Sequence, residues 1–136
     1  MPTDRAALLR DLSAASSGLL FVSEHDAPFA LVDAPTVPFA SLDDDAIRKL
    51  AGRPQADAVE VVSVDHFFRN AVLDQPWHGP AEKAAAKRYR DLVGLIQSAL
   101  PGAKAYRVGA VSVAVLILGT GPGGGALGLS TEVVET

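Results

Sequence analysis

Apolar positions follow two periods along the chain, and the change comes after residue 102. Before it, helical spacing dominates. Leu8, Leu12 and Ala15 fall on one stripe with Leu9 beside them, which predicts a helix over 4–16. Thr3 is its expected N-cap, Asp4 suits the dipole at its first turn, and Gly18 is its expected stop. An apolar run at 19–22 follows, and Pro28 and Pro35 punctuate what comes next. The polar stretch 23–27 reads as an exposed loop pinned on both sides by buried residues. SLDDDAIRKLAG predicts a helix over 43–51, capped by Ser41 or Asp43, with Ile47 and Leu50 on its apolar side and Gly52 at its end.

Residues 59–64 are β-branched and predict a strand, after which Asp65 is the expected cap of a short helix through Phe67, Phe68 and Ala71. DQPWHGP is a loop broken by Pro and Gly. Pro80 at a first helical position opens the strongest helix, whose stripe is Tyr89, Leu92, Val93, Ile96 and Leu100, and Pro101–Gly102 end it. Beyond that the period is two. Strands are predicted at 104–108, 111–118 and 126–134, joined by a short hairpin at Gly109–Ala110 and by the longer loop GTGPGGG. Helices first and a three-strand meander last define the α+β class, with one mostly antiparallel sheet covered by helices. No repeat or linker interrupts the 136 residues, which suit a single domain spanning 1–136.

Composition narrows the function classes. Cysteine is absent, so neither disulfides nor thiolate metal sites are available. The first residues hold no apolar core of a secretory signal, and the longest apolar run, 108–118, is short of the roughly 20 residues a membrane span needs. A cytoplasmic protein is the expectation, monomeric when free and without membrane contact. The net charge of −4 is uneven: residues 1–68 carry −6 and residues 69–136 carry +2. An acidic half argues against nucleic-acid binding, which needs a basic face, and suits a basic protein partner.

Most chemical motifs dissolve on inspection. Gly119, Gly121 and Gly124 match G-x-G-x-x-G, but a β-pattern follows them instead of the helix N-terminus that would hold a pyrophosphate. A flexible hairpin tip explains them better. His25, His66 and His78 show no ligand spacing, and Asp43, Asp44 and Asp45 are the acidic start of a helix. No nucleophile elbow or triad order is present, so the residues indicate no enzyme and no cofactor. Trp77, alone of its type, sits in a loop outside any apolar stripe, as either a core residue or an exposed interface anchor. Glu24 sits in another loop between Phe21 and Phe29, where a carboxylate is ordinarily just solvated. The terminal LSTEVVET reads as a strand running to the last residue.

Several stretches together resemble the nuclease A inhibitor-like family. They are GLLFVSEHDAPF, VVSVDHFF, the loop Trp, LVGLIQSAL, AYRVGAVSVAVLILG and LGLSTEVVET, in order along nearly the whole chain. The resemblance implies an α/β/α sandwich. It also implies inhibition of a sugar-non-specific DNA/RNA endonuclease that uses magnesium. Glu24 matches the inhibitory glutamate, Trp77 the interface tryptophan, and Thr136 the residue that reaches the nuclease's metal. The chain would hold no metal of its own. Two rival readings stand beside it: a binding module of the same fold with a non-nuclease protein partner, and a small-molecule-binding or enzymatic domain using the Gly-rich tip.

Overall fold

The structure is a computed structural model that describes residues 4–24, 26–53 and 57–134. Its centre is a five-stranded antiparallel sheet in the order β3-β7-β6-β5-β4. The strands are β3 (Ala30–Pro38), β4 (Val59–Ser63), β5 (Lys104–Val108), β6 (Ser112–Thr120) and β7 (Gly125–Val134). A two-stranded ribbon, β1 (Leu20–Phe21) with β2 (Ala27–Pro28), forms a second sheet beside β7, whose Thr131 hydroxyl donates to the Pro28 carbonyl at 3.0 Å. The helices are α1 (Arg5–Ser16), α2 (Asp44–Ala51), α3 (Val64–Phe67) and α4 (Pro80–Ala99).

The period of two in the last third sends alternate side chains to opposite faces. Val115, Ile117, Leu127 and Leu129 point to the face where Leu8 and Leu12 of α1, Phe67 of α3 and Leu92 and Ile96 of α4 pack. Val108, Ala114, Leu116 and Leu118 point to the other face, where Ile47 of α2 closes a smaller core with Phe39 and Leu42. Both faces are therefore covered by helix, which makes an α/β/α sandwich of the α+β class. β6 is buried along almost its whole length for this reason, as a central strand covered on both sides must be.

Local chemistry explains the boundaries. Asp4 caps α1 by accepting from the Ala7 N–H at 2.6 Å, and Asp43 caps α2 by accepting from the Ala46 N–H at 2.8 Å. Asp4 thus takes the role expected of Thr3, which lies outside the described residues. Gly52 closes α2 in the left-handed region at φ 68°. The cap of α3 is Ser63, not Asp65: its hydroxyl accepts from the His66 N–H at 3.0 Å. The helix starts two residues earlier than the pattern predicts, with Val64 turned inward to the core.

The sequence pattern misses the short β1 and β2, whose buried Ala27 ends the stretch expected to be an exposed loop, and the long strand β3. Pro35 and Pro38 argue against a strand, yet β3 is a sheet edge, where a missing N–H costs no ladder bond on the open side. The irregular register between Ala34 and Pro38 absorbs the prolines. The Gly-rich segment is a β6–β7 hairpin tip, with Gly123 and Gly124 at φ 90° and 93°. It is not loose. Arg5 of α1 donates to the carbonyls of Pro122, Gly125 and Ala126 and pairs with Asp33 at 2.6 Å. Gly119, the first glycine of the apparent nucleotide motif, lies inside β6, where a Cβ would sit 2.8 Å from the Leu100 Cβ. Close packing places a glycine there.

No helix among the described residues is long and apolar enough to cross a membrane.

Candidate functional site

On the α1–α4 face a groove of about 960 Å³ opens between the β1 segment, α3, α4 and the sheet. This is within the size range of pockets that take ligand or partner groups. One wall is β1 with residues 22–24, the opposite wall is α3, residues 69–71 and the first half of α4, and Val62, Arg107, Val133 and Val134 of the sheet form the base. The walls meet through aromatic packing. Phe21 stacks on Phe67 with ring centroids 4.4 Å apart, and Phe29 meets Phe21 edge-on. Tyr89 of α4 donates its hydroxyl to the Leu20 carbonyl at 2.5 Å, which ties β1 to the helix. Burial in this cluster raises the Tyr89 phenol well above its ordinary value.

Glu24 is exposed and lines the groove. Its loop is fastened to the end of β7. The Val134 N–H donates to the Ser23 hydroxyl at 3.2 Å, and the Glu24 N–H donates to the Val134 carbonyl at 3.4 Å. Ser23 carries no motif signal in the sequence. Its role depends on a partner 111 residues away, which local pattern cannot show.

Trp77 is 77 % exposed, so it is not a core residue. It sits in a turn whose last residue, His78, lines the same groove across from the Glu24 loop. The His78 N–H donates to the Gln75 carbonyl at 3.0 Å, and the Gln75 N–H donates back to His78 Nδ1 at 3.2 Å. Thr136 lies outside the described residues. β7 is described as far as Val134, which is in the groove lining. The structure thus brings Glu24, the Trp77 turn and the end of β7 to one opening.

Charge in the groove is mixed. Glu24, Glu60 and Glu82 enter from three separate elements. Arg107 pairs with Glu60 at 3.1 Å, and Arg69 donates to the His66 carbonyl at 2.7 Å. The Glu82 carboxylate accepts the Gly79 N–H at the start of α4, where a carboxylate suits the dipole. The exposed apolar side chains are less evenly spread. Of the seven large ones exposed among the described residues, Leu20 and Val22 line the groove, and Leu73 and Trp77 lie on the loop flanking it. Apolar exposure gathered around an opening with acidic residues is the makeup of a protein-binding surface, because scattered apolar residues are ordinary and clustered ones are not.

Comparison with known proteins agrees with that class. The chain matches the nuclease A inhibitor-like protein family over residues 6–136, nearly its whole length, and belongs to that family. None of the curated proteins matches it. Membership places the protein among nuclease inhibitor-like proteins, an inhibitor type, and implies a nuclease as its protein partner in general terms.

Proposed function

We propose that this protein inhibits a sugar-non-specific, magnesium-dependent DNA/RNA endonuclease by presenting Glu24, Trp77 and Thr136 together to its active site. The observation that supports the reading is the fastening of the Glu24 loop to the end of β7, with His78, the neighbour of the exposed Trp77, lining the same groove. A nuclease cleft is built to receive phosphate: it is basic and holds a hard cation that prefers oxygen ligands. An oxygen of Thr136, just beyond a rigid strand, takes a position that substrate phosphate would occupy and offers no scissile bond. Glu24 places a second negative charge in that cleft. Trp77 buries a large apolar surface beside it at low cost in side-chain entropy. The acidic balance of residues 1–68 speeds encounter with a basic target.

In this reading the chain works as one domain, 1–136, monomeric when free, in the cytoplasm, with no metal, cofactor or enzymatic activity of its own. It protects the cell that makes the nuclease. The test is degradation of plasmid DNA and of RNA by such an endonuclease, with and without the protein. Degradation stops near an equimolar ratio on both substrates. Unchanged degradation at a large molar excess over the cell's own non-specific nuclease rejects the proposal.

A further inference from the structure

We infer that His78 is the positioning residue of the Trp77 anchor: its Nδ1 accepts the Gln75 N–H and thereby locks the turn that holds the indole out from the surface. The inference rests on the inhibitory role proposed for Trp77 and adds the group that makes that role effective. Residues 75–78 form a four-residue turn closed by the bond from the His78 N–H to the Gln75 carbonyl. Pro76 occupies its second position, where the fixed φ of proline pre-sets the turn. Such a closing bond alone is common. Here a second bond runs the opposite way, from the Gln75 N–H to the His78 ring, so both backbone groups of Gln75 are bound to the same residue. The ring also meets the Trp77 indole edge-on, with centroids 6.0 Å apart.

The arrangement has a physical purpose. A tryptophan that is 77 % exposed has little packing to hold it. If its backbone were loose, binding would have to order the turn, and the affinity would fall by that amount. Downstream the turn is held as well, since the Gly79 N–H is bound by Glu82 and Pro80 begins α4. Upstream, Arg90 of α4 donates to the Val72 carbonyl at 2.9 Å. The bond from Gln75 to His78 restrains the stretch between these two fixed points. It requires an unprotonated Nδ1, so the neutral ring carries its proton on Nε2.

Two substitutions separate the acceptor from the ring. His78→Phe keeps an aromatic ring beside Trp77 and removes the acceptor. His78→Asn removes the ring and places an amide oxygen at the same distance along the side chain, where it accepts the same bond. Trp77 is the only tryptophan, so its fluorescence reports on this turn alone. In His78→Phe the anisotropy decay of Trp77 gains fast local motion, and the inhibition constant against a magnesium-dependent non-specific endonuclease rises about tenfold, the factor matching one net hydrogen bond. In His78→Asn both stay near the unsubstituted protein. Melting temperatures of both variants, measured in parallel, confirm that each is folded. A tight Trp77 in His78→Phe, or equal behaviour of the two variants, overturns the inference. So does a loosened Trp77 with unchanged inhibition, because the anchor then needs no holding. If Trp77→Ala inhibits as well as the unsubstituted protein while His78→Phe still loosens the indole, the fault lies in the inhibitory role of Trp77 and not in the turn.

Discussion

β7 has two ends about 30 Å apart, nine steps at the usual strand rise, and the molecule treats them in opposite ways. At its start the Gly-rich tip is clamped to α1. Three tip carbonyls are bound by Arg5. Gly125 is there because neighbouring backbone leaves no room for a Cβ, which would lie 2.5 Å from the Pro35 carbonyl oxygen, and Gly123 and Gly124 supply the positive φ of the turn. At its finish, Val134 is bound to Ser23 and Glu24, while Glu24 itself and nearby Val22 stay exposed. Both ends are held by hydrogen bonds to distant segments. One end uses them to complete the fold. The other uses them to hold side chains out toward solvent. Rigidity alone therefore does not mark an interaction site; rigidity combined with exposed apolar and acidic side chains does.

The contrast can be broken from either side. Trp77→Ala has the largest expected effect on binding, a loss of about 2 kcal/mol or more, roughly thirtyfold in inhibition constant, with little change in melting temperature. Titration calorimetry with the nuclease and a thermal melt of the free protein read both quantities. A large fall in melting temperature with intact binding would reverse the assignment of that end. Arg5→Ala tests the opposite end. It leaves the Pro122, Gly125 and Ala126 carbonyls and Asp33 without their cation, and destabilises the fold by about 2 kcal/mol. Urea unfolding should show this loss, while inhibition at a temperature where the variant is folded stays unchanged.

Ser23→Ala sharpens the comparison. It removes one hydrogen bond between the Glu24 loop and Val134, worth about 1 kcal/mol, and the loss appears in inhibition as well as in urea unfolding. A change in stability alone would show that the fastening serves the fold and not the presented residues. The smallest effect is expected from pH. The folded Tyr89 phenol titrates above its unfolded value because burial disfavours the phenolate. Its contribution to stability is therefore complete below about pH 10, the unfolded value, and is lost as pH rises from there toward the folded value. Melting temperatures taken upward from pH 9 fall less steeply in Tyr89→Phe than in the unsubstituted protein. Parallel slopes would show that the phenol does not couple to folding.

Much of this was legible in the residues. The helices at 5–16, 44–51 and 80–99 and the strands at 59–63, 104–108, 112–120 and 125–134 lie within about two residues of the positions their periodicity predicts. Asp43, Gly52 and Pro80 mark boundaries through local backbone chemistry. β3 was hidden because its prolines are acceptable only at a sheet edge, and edge position is a property of the whole sheet. Ser63 replaced Asp65 as a cap because burial of Val64 set where α3 begins. Trp77 stood open between core and surface, since a lone aromatic in a loop has no period to place it, and the structure puts it outside.

By itself the sequence determined most of the elements, the α+β class and the family, since periodicity, caps and short motifs act over a few residues and survive without tertiary context. Tertiary structure alone decided that residues near 24, 78 and 134 share one groove, that the glycine tip is clamped by Arg5, and that His78 supports the Trp77 turn. The first two bring together residues more than 50 positions apart, through strand order and helix packing. The third depends on the rotamer and tautomer of a single ring, which no pattern of residue types encodes.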